Sequence, residues 1–143
     1  MPPHSPQVVL VTGATGYVGG RLVPRLVEAG HRVRCLVRDP LRLQGRPWGT
    51  QVEVVQGDVL DPDSLQEAMR DVNVVYYLIH SLGEGVGFEQ LDVQAARNCS
   101  LAAKASGAGR LIYLGGLGDA STQLSPHLRS RHQTGEALRE AGV

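Results

Sequence analysis

The residues best placed to do chemistry are glycines. In Thr12-Gly13-Ala14-Thr15-Gly16-Tyr17-Val18-Gly19 they recur at every third position, after the apolar run Val8–Val11 and at the head of a helical pattern. Such a loop brings backbone N–H groups against an anion. Gly13 permits a tight turn, Gly16 lets the backbone approach a pyrophosphate, and Gly19 lets the helix lie close on the strand. The helix N-terminus adds unpaired N–H groups and the positive end of its dipole, which brings Thr15, Tyr17 and Val18 into the candidate contacts. Glycines serving packing alone are the competing reading. The strand–turn–helix context favours a phosphate loop.

A dinucleotide needs further contacts at the ends of neighbouring strands. The second strand ends in Arg38-Asp39, which offers both groups such a fold uses there: a carboxylate for a ribose 2′-OH or a guanidinium for a 2′-phosphate. Guanidinium suits phosphate in charge and fork geometry, so NADP(H) is expected over NAD(H). Asp39 has an alternative role, capping the turn before Pro40. Asp58, followed by Val59, comes after the third strand; it is placed either to accept from an adenine amino group or to cap the next turn. Ile79 and His80 end the fourth strand, beside the expected dinucleotide. His80 is a candidate acid/base group, and a ribose or backbone contact is the plainer role.

The elements that must position these residues follow from pattern. Short β-branched runs at 8–11, 31–37, 52–56, 72–79 and 110–114 alternate with helical periods at 17–29, 61–69, 88–106 and 126–141. The stretch 38–51, with Pro40, Gly45, Pro47 and Gly49, reads as a loop with at most a short helical turn. In the first helix Val18, Leu22 and Leu26 form the apolar row, and Pro24 inside it should cost a hydrogen bond or leave a kink. In the third, Leu91, Ala95, Cys99 and Ala102 form a face of mostly small residues, a candidate homodimer surface. The order predicts an α/β fold, a doubly wound parallel sheet of Rossmann type, in a single domain over 1–143. Glu140-Ala141-Gly142 repeats the Glu28-Ala29-Gly30 that leads into a strand, so the chain is expected to be truncated after the helix following strand five.

Composition excludes several classes. Glycine is 18 of 143 residues, about 13% against roughly 7% in average proteins. A formal net charge of zero argues against a phosphate-neutralising nucleic-acid binder. Cys35 and Cys99 cannot build a disulfide framework, and no Cys-x-x-Cys offers a metal site. No apolar run is long enough to cross a membrane, and the first residues carry no secretory pattern. A cytoplasmic, reducing location is expected.

With four motifs in order, Thr12–Gly19, Leu36–Pro40, Gly57–Leu65 and Ala102–Leu114, the chain resembles the extended and atypical short-chain dehydrogenase/reductases. Its nearest branch is the NmrA-like and nucleoside-diphosphate-sugar-epimerase-like proteins. The resemblance implies a Rossmann fold, an NAD(P) cofactor and a protein about twice this size, whose remaining part shapes the substrate pocket. The family's catalytic Tyr-x-x-x-Lys falls on His127 and Arg131, its serine or threonine on Gly115-Gly116, and the asparagine of some members on Asp92. Glycine has no hydroxyl to polarise a carbonyl, and arginine cannot exchange protons near neutral pH. His127 alone can relay a proton, and Arg131 can hold a ribose.

Two functions therefore compete. One is an NAD(P)(H)-dependent oxidoreductase or epimerase-like enzyme acting on a small carbonyl or sugar-like substrate with a non-standard catalytic set. The other is a non-catalytic NADP(H)-binding sensor or regulator, as some NmrA-like proteins are. Trp48 reads as a cover over the core, and the two cysteines as core thiols.

Overall fold

Strands too short and apolar for hairpins pair in parallel through crossovers, and the chain forms four such pairings among five strands. The computed structural model describes residues 5–79, 87–114 and 126–143. In chain order the elements are β1 (Val8–Thr12), α1 (Tyr17–Glu28), β2 (Arg32–Val37), a 3₁₀ turn (Pro40–Leu43), β3 (Glu53–Gln56), α2 (Pro62–Ala68), β4 (Val74–Tyr77), α3 (Phe88–Ser106), β5 (Arg110–Tyr113) and α4 (Pro126–Arg139). The sheet order is β3-β2-β1-β4-β5, all parallel. The order reverses between β1 and β4, where a doubly wound sheet opens a crevice beyond its carboxyl ends. The expected Rossmann-like architecture is therefore present.

Alternation along β1 divides the core into two layers. Val9 and Val11 face one side with Val23 of α1, Cys35, Leu43 and Trp48. Leu10 faces the other with Val75, Tyr77 and the apolar residues of α2, α3 and α4. Trp48 and both cysteines are buried, as their positions in the sequence imply. Burial pushes the Cys35 and Cys99 thiols up to about 12.

Arg34 is a buried cation on β2. Its Nη1 donates to the carbonyls of Ala68 and Arg70, both at 2.7 Å, and its Nε lies 3.2 Å from the Glu53 carboxylate. Positive charge and donors thus meet the carbonyl-rich end of α2, which makes burying a guanidinium tolerable. At the other end of α2, the Asp61 carboxylate accepts the Asp63 N–H at 3.1 Å ahead of Pro62, the predicted acid-and-proline start.

Two helix faces differ from the expected ones. In α1 the buried residues are Gly19 and Val23, with Leu26 and Val27 packed partly behind them, while Val18 is 41% exposed. Gly19 must lie against the Gly13–Ala14 backbone, and that contact sets the helix's rotation. Pro24 sits within a continuous α1, its missing N–H opposite the Gly20 carbonyl. In α3, Leu91 is 42% exposed, and the packed face runs through Asp92, Ala95, Ala96, Cys99, Ser100 and Ala103. That small-residue face is covered within the chain: Ser100 Oγ donates to the Ala137 carbonyl at 3.2 Å, and Ser130 Oγ of α4 donates to the Asp92 carboxylate at 2.8 Å.

Candidate functional site

Beyond the carboxyl ends of β1–β4 lies a cleft of about 620 Å³. Its floor is Gly13, Ala14, Thr15 and Gly16 after β1. One wall is the end of β2 with Arg38, Asp39 and Arg42, and Gly57, Asp58 and Val59 follow β3. Leu78 and Ile79 close it after β4. The structure thus brings together Gly13, Thr15, Gly16, Arg38, Asp58, Val59 and Ile79 of the residues picked from sequence. Tyr17, Val18 and Gly19 stand in the first turn of α1, outside the lining.

The three glycines do different things. Gly13 has φ +80°, and a Cβ there would lie 2.9 Å from the Leu78 carbonyl oxygen, so backbone conformation and close approach both require glycine. A Cβ on Gly19 would run into the Gly13 carbonyl. Gly16 is under neither constraint: its φ is −81°, and among the described residues a Cβ would meet only the Gly13 oxygen, at 3.4 Å. Gly16 lines the cleft.

Gly16 is also the N-cap of α1 and offers no side-chain acceptor, and the first turn holds no acid. Among the described residues the N–H groups of Tyr17, Val18 and Gly19 therefore have no side-chain cap, the condition for an anion site. The side chains of Tyr17 and Val18 turn outward; the Tyr17 ring is 75% exposed, with the Arg21 guanidinium 3.7 Å above its centre.

Thr12, which the sequence reading did not select, locks the crevice. Its buried hydroxyl donates to the Tyr76 carbonyl at 3.2 Å and accepts the Leu78 N–H at 3.3 Å. β1 and β4 are held together just where their paths diverge.

At the β2 wall, Asp39 Oδ1 accepts the Leu41 N–H at 3.0 Å and caps the 3₁₀ turn, the alternative role anticipated for it. That turn carries Arg42, a second arginine that sequence reasoning missed, to the same corner as Arg38. Among the described residues neither guanidinium has an ion-pair partner. Asp58 Oδ1 accepts the Leu60 N–H at 2.9 Å, so it caps its turn while still lining the cleft.

The remaining candidates lie apart. His80 is outside the described residues, as is the side chain of His127 in the first turn of α4. Arg131 stands on α4 and does not line the cleft; its carbonyl accepts the Tyr113 hydroxyl at 3.1 Å. Burial raises the pKa of that Tyr113 hydroxyl, with Arg131 nearby opposing the shift.

Comparison with known proteins agrees with this geometry. A family model described as NAD(P)H-binding matches residues 13–142. The chain is 34% identical over 137 residues to the ceramide reductase of Caulobacter vibrioides, covering 94% of this chain and 42% of that one. It is 31% identical over 138 residues to the photosystem II assembly factor Ycf39 of Cyanophora paradoxa, again covering 94% and 42%. Among solved structures, the Citrobacter sp. triphenylmethane reductase complexed with NADP(H) superposes with a TM-score of 0.78 at 27% identity, over 95% of this chain and 46% of that one. The chain spans less than half the length of these relatives.

Proposed function

The chain belongs to the NAD(P)H-binding family of atypical, NmrA-like short-chain dehydrogenase/reductases, and from that membership we propose that it is the dinucleotide-binding part of an NADP(H)-dependent reductase or epimerase-like enzyme. The substrate is a small carbonyl or sugar-like molecule, shaped for by sequence beyond these residues. Backbone groups of Gly13–Gly19 hold the pyrophosphate, Asp58, Val59 and Ile79 border the adenosine, and His80 meets a ribose. When bound, the nicotinamide supplies the hydride chemistry. His127 relays the proton, and Arg131 holds the ribose beside it. The buried neutral thiols Cys35 and Cys99 accord with a cytoplasmic location.

One observation carries the preference for NADP(H). Arg38 and Arg42 both line the cleft and have no carboxylate partner among the described residues, while an oxygen of Asp39 is held by the Leu41 N–H. Two forked cations suit a 2′-phosphate dianion. Isothermal titration should show NADP+ bound more tightly than NAD+, and Arg38→Ala should erase the difference. Equal affinities in the unmutated protein would remove the assignment.

A second reading is a non-catalytic dinucleotide sensor, favoured by Gly115-Gly116 standing where the family places a catalytic hydroxyl. The assembly factor among the relatives supports it. Screening NADPH oxidation by the full-length protein against a panel of carbonyl compounds separates the two. Turnover abolished by His127→Phe supports the enzyme; tight NADPH binding with no oxidation of any compound supports the sensor.

A further inference from the structure

The loop between β2 and β3 does more than carry Arg38 and Arg42 to the cleft. Leu43 and Trp48 anchor it in the core layer beneath α1, only 4% and 6% exposed. Between these anchors Arg46 is fixed by its own backbone: its N–H donates to the Leu43 carbonyl at 3.3 Å, and its carbonyl accepts the Gly49 N–H at 2.9 Å. From there the side chain crosses to the phosphate loop. Nη2 donates to the Thr15 carbonyl at 3.1 Å, a contact spanning 31 residues. Nη1 lies over Gly20, where a Cβ would stand 3.1 Å from it.

That hydrogen bond grips one end of the Thr15–Gly16 peptide. The other end is held by the Gly16 N–H donating to the Gly13 carbonyl at 3.1 Å. A cation beside the first turn of a helix is unfavourable until an anion arrives there. With an anion at the N–H groups of α1, the same charge becomes favourable.

We propose that Arg46 is a positioning residue for dinucleotide binding, which ties the β2–β3 loop to the phosphate loop and holds the Thr15–Gly16 peptide in the geometry that receives the pyrophosphate. The proposal rests on the reading of the cleft as a dinucleotide site. Arg46 does not line the cleft, so its effect falls on the part common to both dinucleotides. Arg38 and Arg42, at the 2′ corner, govern the choice between them. Gly20 belongs to the same device, because it leaves the space the guanidinium occupies.

The test is titration of NADP+ and NAD+ into the intact protein and into Arg46→Ala, Arg46→Lys, Gly20→Ala and Arg38→Ala, with thermal unfolding of each. Arg46→Ala is expected to weaken both ligands by about tenfold, the worth of one charge-assisted hydrogen bond, with their ratio unchanged. Arg46→Lys restores part of the loss by returning charge and one donor, and Gly20→Ala weakens both ligands by displacing Nη1. Arg38→Ala changes the ratio instead. The proposal is overturned if Arg46→Ala binds both ligands within twofold of the unmutated protein, or if it alters their ratio. It is overturned equally if Arg46→Lys matches Arg46→Ala, or if the affinity loss only follows a fall in melting temperature. Failure of the unmutated protein to bind either dinucleotide would instead sink the reading of the cleft itself.

Discussion

Gly16 and Gly19 are three residues apart in one motif, yet they answer to different demands, and substitution should separate them. Gly19→Ala forces a methyl into the Gly13 backbone and should cost about 1–3 kcal/mol of stability in a denaturant titration. Gly16→Ala has room and an ordinary φ, so stability should change by about 1 kcal/mol at most. Dinucleotide affinity should nevertheless drop about tenfold, because the methyl occupies the space a phosphate needs. If both variants lose stability equally, Gly16 is a packing residue and the phosphate assignment weakens. Gly13, Gly16, Gly19 and Arg38 were legible in the sequence because motif spacing and strand ends determine them locally. Arg42 and Arg46 were not: the stretch 38–51 reads as a loop with at most a short helical turn, and its pattern does not show that the turn at Pro40–Leu43 and the buried anchors Leu43 and Trp48 aim these two side chains.

The order and type of the helices and strands followed from periodicity, and the parallel sheet from the absence of hairpin turns. Which face of a helix is buried was less legible. A row such as Val18, Leu22 and Leu26 has helical spacing, but the closest backbone contact fixes the rotation, and Gly19 makes it. In α3 the Ser130–Asp92 and Ser100–Ala137 hydrogen bonds lie on the packed face, with Leu91 partly outside it. Between elements, the Thr12 hydroxyl bridges β1 and β4, a link that no sequence pattern announces. Thr12→Val keeps the shape and removes both hydrogen bonds, leaving the Leu78 N–H without its acceptor. A loss of about 1–3 kcal/mol is expected, read as a lower denaturation midpoint at unchanged slope. Asp61→Ala, which uncaps α2, should cost about 1 kcal/mol.

For the molecule as a whole, the two core layers make a prediction about alkaline pH. Cys35 and Cys99 sit one in each layer, and burial pushes both thiols up to about 12, well above an exposed thiol. The unfolded chain therefore releases these protons first, so stability should be intact below about pH 9 and decline from there toward pH 12. Replacing both by alanine should flatten that decline, although the cavities would lower stability at neutral pH. In the native protein neither thiol should react with an aromatic disulfide reagent at pH 8; rapid reaction without unfolding would show that the layers open. The sheet order has a further consequence, for the time at which the site comes into existence. β1 pairs with β4 in the register Val9 to Val74, Leu10 to Val75 and Val11 to Tyr76, so the glycine loop gains its wall only after some sixty-five residues have been made and threaded back. During synthesis, the nascent chain carries the glycine motif from the start but has no crevice until the fourth strand docks. A dinucleotide held across the two strands, as proposed, would favour the completed pairing by mass action and act as a late clasp on the sheet.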